Sequence, residues 1–174
     1  MQRLEVATDV YADRETVYEF LLSFPGYAEY SEHLDSVTTH GDGDPGTEYD
    51  LHLAWWRISY TARSRVTAVD PPERIDWCLV GGLTARGAWV IEPLDGDETG
   101  SHVRLVVDYD PSSADSSTLG LPRLLSIDAL VDRARPIVRE EAERVVERVV
   151  ADLEGEPRSV DLTVHHESHT AGER

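Results

Sequence analysis

The chain has 174 residues, 40% of them apolar, which suits one domain with a sizeable core. It carries 34 acidic residues against 16 basic ones, a net charge of -18, and every basic residue is an arginine. That balance argues against the basic surface that nucleic acid or an anionic membrane recruits, and no apolar run approaches the roughly 18 residues of a membrane span.

The first residues, Met1-Gln2-Arg3-Leu4-Glu5-Val6, lack the apolar stretch of a signal peptide. A cytoplasmic protein is therefore expected. A large acidic excess keeps a protein soluble and is tolerated where salt shortens the Debye length to a few ångströms. The composition thus predicts adaptation to a very salty interior. Cys78 is the lone cysteine and sits in the apolar run Ile75–Val80, so no internal disulfide forms and core packing is its expected role.

In chain order, Gln2–Val10 alternates and reads as a strand. Asp13 then caps a helix over Arg14–Leu22, with Val17, Phe20 and Leu21 on one stripe. Ser23-Phe24-Pro25-Gly26 stops it, and Tyr27–Leu34 reads as a second short helix. Asp35–His40 is a short strand, followed by the turn Gly41–Gly46. Thr47–Trp55 alternates, placing Tyr49, Leu51, Leu53 and Trp55 on one face and His52 on the other. Arg57–Val69 does the same, with Tyr60, Ala62, Val66 and Ala68 on the apolar face. After the turn Asp70-Pro71-Pro72-Glu73 comes Arg74–Val80, with Ile75, Trp77 and Leu79 inward and Asp76 outward. Gly81-Gly82 breaks that strand. Thr84–Leu94 and His102–Tyr109 complete about seven strands, most joined by short turns and so antiparallel. One face is apolar and the other is arginine, threonine and acid, which predicts a sheet solvated on one side.

Pro111–Leu119 is a polar linker, after which the period changes to about 3.6. Ile127, Val131, Ala134, Val138, Ala142, Val145, Val149 and Leu153 form one stripe, and Arg139, Glu140, Glu143 and Arg144 lie opposite it. Pro136 falls inside this pattern, so the helix is expected to kink or divide there. Gly155 ends it. Residues 156–174 are polar and aperiodic and read as a disordered tail behind a domain of residues 1–155.

The resulting α+β order, a curved sheet around one long helix, predicts space between them. Large inward residues with polar tips, Tyr49, Trp55, Tyr60, Trp77 and Trp89, fit either a packed core or a mostly apolar ligand pocket. The tract His165-His166-Glu167-Ser168-His169 lacks supporting groups and reads as an adventitious metal binder, not a site. No phosphate loop, paired cysteines or Ser-His-Asp grouping occurs, so neither a metal nor a cofactor is expected. His33, His52, Asp76 and Arg86 are the candidates for acid–base work, the last three pointing outward.

Four segments carry a family resemblance. Val10-Tyr11-Ala12-Asp13-Arg14-Glu15-Thr16-Val17-Tyr18 resembles the lead into the first helix of the SRPBCC, or START-like, superfamily. Phe24-Pro25-Gly26-Tyr27-Ala28-Glu29-Tyr30 resembles a segment of its coenzyme Q-binding and polyketide-cyclase/lipid-transport branches. Val66–Ile75 and Gly87-Ala88-Trp89 followed by His102-Val103-Arg104-Leu105 are similar to its hairpins. The lysine-free acidic composition resembles that of haloarchaeal proteins. The family resemblance implies a helix-grip fold whose cavity takes a lipid, quinone or polyketide-like molecule. The implied lining is Tyr27, Tyr30, Tyr49, Leu51, Leu53, Trp55, Tyr60, Trp77, Trp89, Leu124, Ile127 and Val131. A carrier or sequestering role is the leading expectation. A cyclase/aromatase-like enzyme and a protein-partner-binding module are the alternatives.

Overall fold

A computed structural model describes residues 1–23, 30–55, 58–114 and 127–168. The chain runs β1 (Gln2–Val10), α1 (Arg14–Leu22), β2 (Leu34–His40), β3 (Glu48–Trp55), β4 (Ile58–Asp70), β5 (Arg74–Leu79), β6 (Thr84–Leu94), β7 (Asp97–Asp110), α2 (Ile127–Glu154) and β8 (Thr163–Ser168). The strands form a single eight-stranded sheet in the order β2-β3-β4-β5-β6-β7-β1-β8. Every neighbouring pair is antiparallel.

α1 starts where its cap predicts, because Asp13 Oδ1 accepts the Thr16 amide at 2.7 Å. Val17, Tyr18 and Leu21 are its buried face and Phe20 packs half-buried against the same core, so Tyr18 joins the expected stripe. α1 packs on β6 and β7. Its residues join Val10, Tyr49, Val66, Ile75, Ile91 and Val103 of the sheet and Val150 of α2 in one core. This core lies toward the end of the sheet where β1 stops and the β2–β3, β4–β5 and β6–β7 turns gather. The opposite end collects the β3–β4 and β5–β6 connections, the start of β1 and the finish of β7.

Five sequence expectations change. Tyr30–His33 forms a turn and bends, and Leu34 already opens β2, so the proposed second helix does not reach Leu34; residues 24–29 lie outside the described residues. β4 has an irregularity between Val66 and Ala68. One extra residue at Thr67 flips the alternation, so Val69 packs on the core and Ala68 is exposed. The β6–β7 connection is only Asp95-Gly96, with Gly96 at φ 71°, because β7 starts at Asp97 and not at His102. Of the two outcomes expected at Pro136, a kink or a division, the division does not occur: α2 runs through it over 28 residues. Among its described side chains the deepest is Val150, fully buried, with Val146 and Leu153 beside it, one step from the expected Val145/Val149 phase.

The fifth change is at the C-terminus. Thr163–Ser168 is not a disordered tail but an eighth strand that covers the free edge of β1. Arg158 fixes the approach to it: its guanidinium bonds Glu154 and the Asp9 carbonyl and lies 4.4 Å from the centroid of the Tyr11 ring. Glu154 in turn accepts the Tyr11 amide at 2.8 Å. The Arg158 hydrogen bonds hold the Glu154 carboxyl below its ordinary pKa despite burial, and the Tyr11 amide adds to the effect.

Candidate functional site

Directly paired residues share a face, so the strand registers lay out the inner surface as rows. One row runs Val66, Trp77, Gly87, Val107, Leu4, His166 across β4, β5, β6, β7, β1 and β8. The next, closer to the core, runs Val69, Ile75, Trp89, Leu105, Val6, Val164. On the other side Ala85 pairs with Tyr109, and Tyr109 with Gln2. The surface is apolar with polar tips, and its small residues Ala62, Ser64, Ala85 and Gly87 stand between the large aromatics.

Trp77 shows why one of these must be small. A Cβ at Gly87 would stand 2.5 Å from Trp77 Cζ2 and 2.6 Å from the Val106 carbonyl oxygen. The indole therefore occupies, beside Gly87, space that a side chain there would fill. The Nε1 atoms of Trp77 and Trp89 are both buried, and both lack a hydrogen-bond partner among the described residues. A buried donor left unpaired costs about 1–3 kcal/mol, so two such donors on one wall constitute an unmet demand for an acceptor.

The remaining expected residues fall as follows. Tyr49 is buried, and its hydroxyl donates to the Leu22 carbonyl at 3.3 Å. Burial pushes its pKa up. Leu51 and Tyr60 are half-buried on the same face, and Leu53, toward the end remote from α1, is 38% exposed. Tyr30 does not stand on the sheet. Its ring meets Phe20 edge-on at 5.9 Å, its hydroxyl bonds Asp152, and its carbonyl accepts from Arg148 at 2.8 Å. Ser31 and the Glu32 amide both donate to Glu141 Oε1. The segment leading into β2 is thus fastened along α2. Burial raises the Glu141 pKa, but these donors outweigh it and hold the carboxyl below its ordinary value. Tyr27 and Leu124 lie outside the described residues, and only the backbone of Trp55, Ile127 and Val131 is described.

The inner residues of β1, β7 and β8, including Leu4, Leu105, Val107, Tyr109 and His166, were missed from sequence. Alternation gave each strand two faces but not its neighbours. The Gly87-Ala88-Trp89 pattern was the available signal for the Trp77 cradle.

The outer face is a lattice of ion pairs. Arg63 bonds Asp50 at 2.7 Å, Arg74 bonds Asp76 at 2.8 Å, and Arg3 bonds Asp108 at 2.8 Å. Arg86 lies 3.9 Å from Asp108, and Arg104 sits between Glu5 and Glu92. His52 contacts Thr38 and Thr61 there. A depression of about 570 Å³ opens on this side, lined by the charges of Arg3, Glu5, Arg74, Asp76, Arg86, Arg104 and Asp108 and also by Trp77 and Gly87. Asp76, Arg86 and His52 therefore stand outward, as alternation predicts. Cys78, half-buried, lines the same outer depression and not the core. Among the described residues no group of three or more potential ligands is placed to hold a metal, and no helix is long and apolar enough to cross a membrane.

The fold has known counterparts. The Zhui aromatase/cyclase from Streptomyces sp. R1128 superposes with a TM-score of 0.69 at 20% identity, over 88% of this chain and 94% of that one. A START superfamily protein from Mycobacterium smegmatis gives 0.62 at 16% identity, over 88% and 99%. No curated protein matches the sequence. Residues 1–155 match the family described as "Polyketide cyclase / dehydrase and lipid transport". With that match over most of its length, on an α+β START-like fold, the chain belongs to the polyketide cyclase/dehydrase and lipid-transport family of the SRPBCC superfamily.

Proposed function

We propose that the protein binds an apolar small molecule of the lipid, quinone or polyketide-like class between the inner face of the sheet and α2, and serves as its carrier or sequestering partner. One observation carries the reading: the indole N–H groups of Trp77 and Trp89 are buried with no acceptor among the described residues. A ligand carbonyl or ether oxygen would supply one. Family membership supports the same class of ligand.

Electrostatics favours the carrier over the cyclase. The described carboxylates whose pKa values move sit on the outer face, at helix caps, or in the fastenings to α2. The shifted groups in the inner core are Tyr18 and Tyr49, both pushed up chiefly by burial, and neither is suited to proton transfer near neutrality. The ligand-binding set proposed is Tyr49, Leu51, Leu53, Trp55, Tyr60, Trp77 and Trp89 from the sheet, Tyr27 and Tyr30 before β2, and Leu124, Ile127 and Val131 around the start of α2. We place this function in a salt-rich cytoplasm.

Native mass spectrometry of protein purified from its own host tests the reading. A retained small apolar molecule is the expected result. Empty protein, with tryptophan emission unaffected by added lipids or quinones, would overturn it.

A further inference from the structure

Strand register explains the shape of the depression on the outer face. One outer row runs Asp76, Ala88, Val106, Glu5 across β5, β6, β7 and β1. Ala88 is small and buried and Val106 is half-buried, so the middle of this row is low and apolar. Two residues to one side lies the row of Arg86, Asp108 and Arg3. Two residues to the other side lies the row of Arg74, Val90 and Arg104. At about 3.3 Å per residue the flanking rows are about 13 Å apart. Their long side chains wall a floor of Ala88 and Val106, with Val90 at its margin.

Four arginines line this depression against three carboxylates, in a chain with 34 acidic residues and 16 basic ones. The local charge balance thus reverses that of the whole protein. Each carboxylate has its own arginine. Arg3 grips Asp108 at 2.8 and 3.1 Å, and Arg74 grips Asp76 at 2.8 and 2.9 Å. Arg104 stands 3.5 Å from Glu5 and 3.3 Å from Glu92. Arg86 is the unmatched charge. Its nearest carboxylate, Asp108, is 3.9 Å away and already engaged by Arg3, and its side chain is 72% exposed. Arg86 makes no hydrogen bond among the described residues. A guanidinium offers five N–H donors in a planar fork that fits a carboxylate two-to-two. The outer depression therefore combines an open fork with an apolar floor.

We propose that this depression binds a flat organic acid, its carboxylate on Arg86 and its apolar body over Ala88 and Val106. The site lies on the opposite face of the sheet from the ligand wall proposed above and does not depend on that function.

The test uses the full chain and two probes of one shape, 2-naphthoate and its neutral amide, 2-naphthamide. Binding is followed by proton–carbon spectra of the Val90 and Val106 methyl groups, on the outer face, and by the indole N–H of Trp89, on the inner one. Naphthoate should shift the valine methyls and leave the Trp89 signal in place. It should bind about tenfold more tightly than the amide, the size of one charge-assisted hydrogen-bonded pair. Arg86→Gln, at an exposed position, should bring the two probes to near-equal affinity. Arg139→Gln, which removes an exposed arginine of α2 paired with Glu143, should keep the preference. Valine methyls that stay in place with naphthoate, equal affinity of both probes for the unaltered chain, or a preference that survives Arg86→Gln overturns the site. A preference lost equally in Arg139→Gln traces it to overall charge and overturns the site as well.

Discussion

Replacing Gly87 by alanine puts a single methyl group where the structure has the Trp77 indole. The new Cβ would meet Trp77 Cζ2 at 2.5 Å, Trp77 Cε2 at 2.8 Å and the Val106 carbonyl oxygen at 2.6 Å. The carbonyl belongs to the β7 backbone and cannot retreat without disturbing the sheet, so the indole must lift and β6 must shift away from β7. Overpacking of this kind costs about 1–3 kcal/mol. The gain from replacing glycine inside a strand, about 0.5–1 kcal/mol, offsets part of it. A net loss of about 1–2 kcal/mol is expected, or roughly 2–8 °C in the unfolding midpoint for a domain of this size. Thermal unfolding followed by tryptophan emission measures both consequences. The midpoint should fall, and the native emission should shift to longer wavelength as the Trp77 ring leaves its buried position. A Gly87→Ala variant as stable as the parent, with unchanged emission, would refute the cradle and the placement of the Trp77 N–H that depends on it.

Further outcomes follow from other parts of the molecule. Val150→Ala, at a fully buried position of α2, should cost about 2 kcal/mol from the lost methyl groups and the cavity left behind, as measured by denaturant unfolding. Acid should destabilise the fold: the Asp108, Glu141 and Glu154 carboxyls are held below their ordinary pKa values. Their contribution is present above the unfolded carboxylate pKa, near 4, and is lost as pH falls through the lower folded values. Unfolding midpoints measured from neutrality down to about pH 3 should decline across that window. Added KCl or NaCl should raise the unfolding midpoint, because a chain of net charge -18 repels itself; a flat or falling dependence contradicts the salt-adapted reading. Amide hydrogen exchange should show protection over Thr163–Ser168, where β8 pairs with β1, and exchange as fast as in a free peptide would remove that strand.

Much of the fold was legible because the signals were local. Asp13 and the stripe of α1, the alternation of β3 through β6 and the glycine that ends α2 all act over a few residues. The failures came where a distant partner decides. The extra residue at Thr67 is invisible to a period-two reading, so Val69 was turned outward and Ala68 inward. Valines occur in α2 at both 145/149 and 146/150, and only the packing of Val150 on the core selects between them. β8 is a short polar edge strand whose residues are mostly exposed, and its pairing with β1 leaves little trace in Thr163-Val164-His165-His166-Glu167-Ser168. At the site, alternation turned Trp77 and Trp89 inward. It could not show that Gly87 lies beside one indole.

The central claim concerns what the indole N–H groups of Trp77 and Trp89 face. A proton–nitrogen correlation spectrum of the full chain resolves them directly, with Trp77→Phe and Trp89→Phe to assign the signals, recorded before and after saturation with a long-chain fatty acid or a short-tailed quinone. A ligand held on the inner wall should shift at least one of the two resonances downfield as the N–H gains an acceptor. Indole resonances that stay in place with each ligand, in a protein that remains folded, would contradict it.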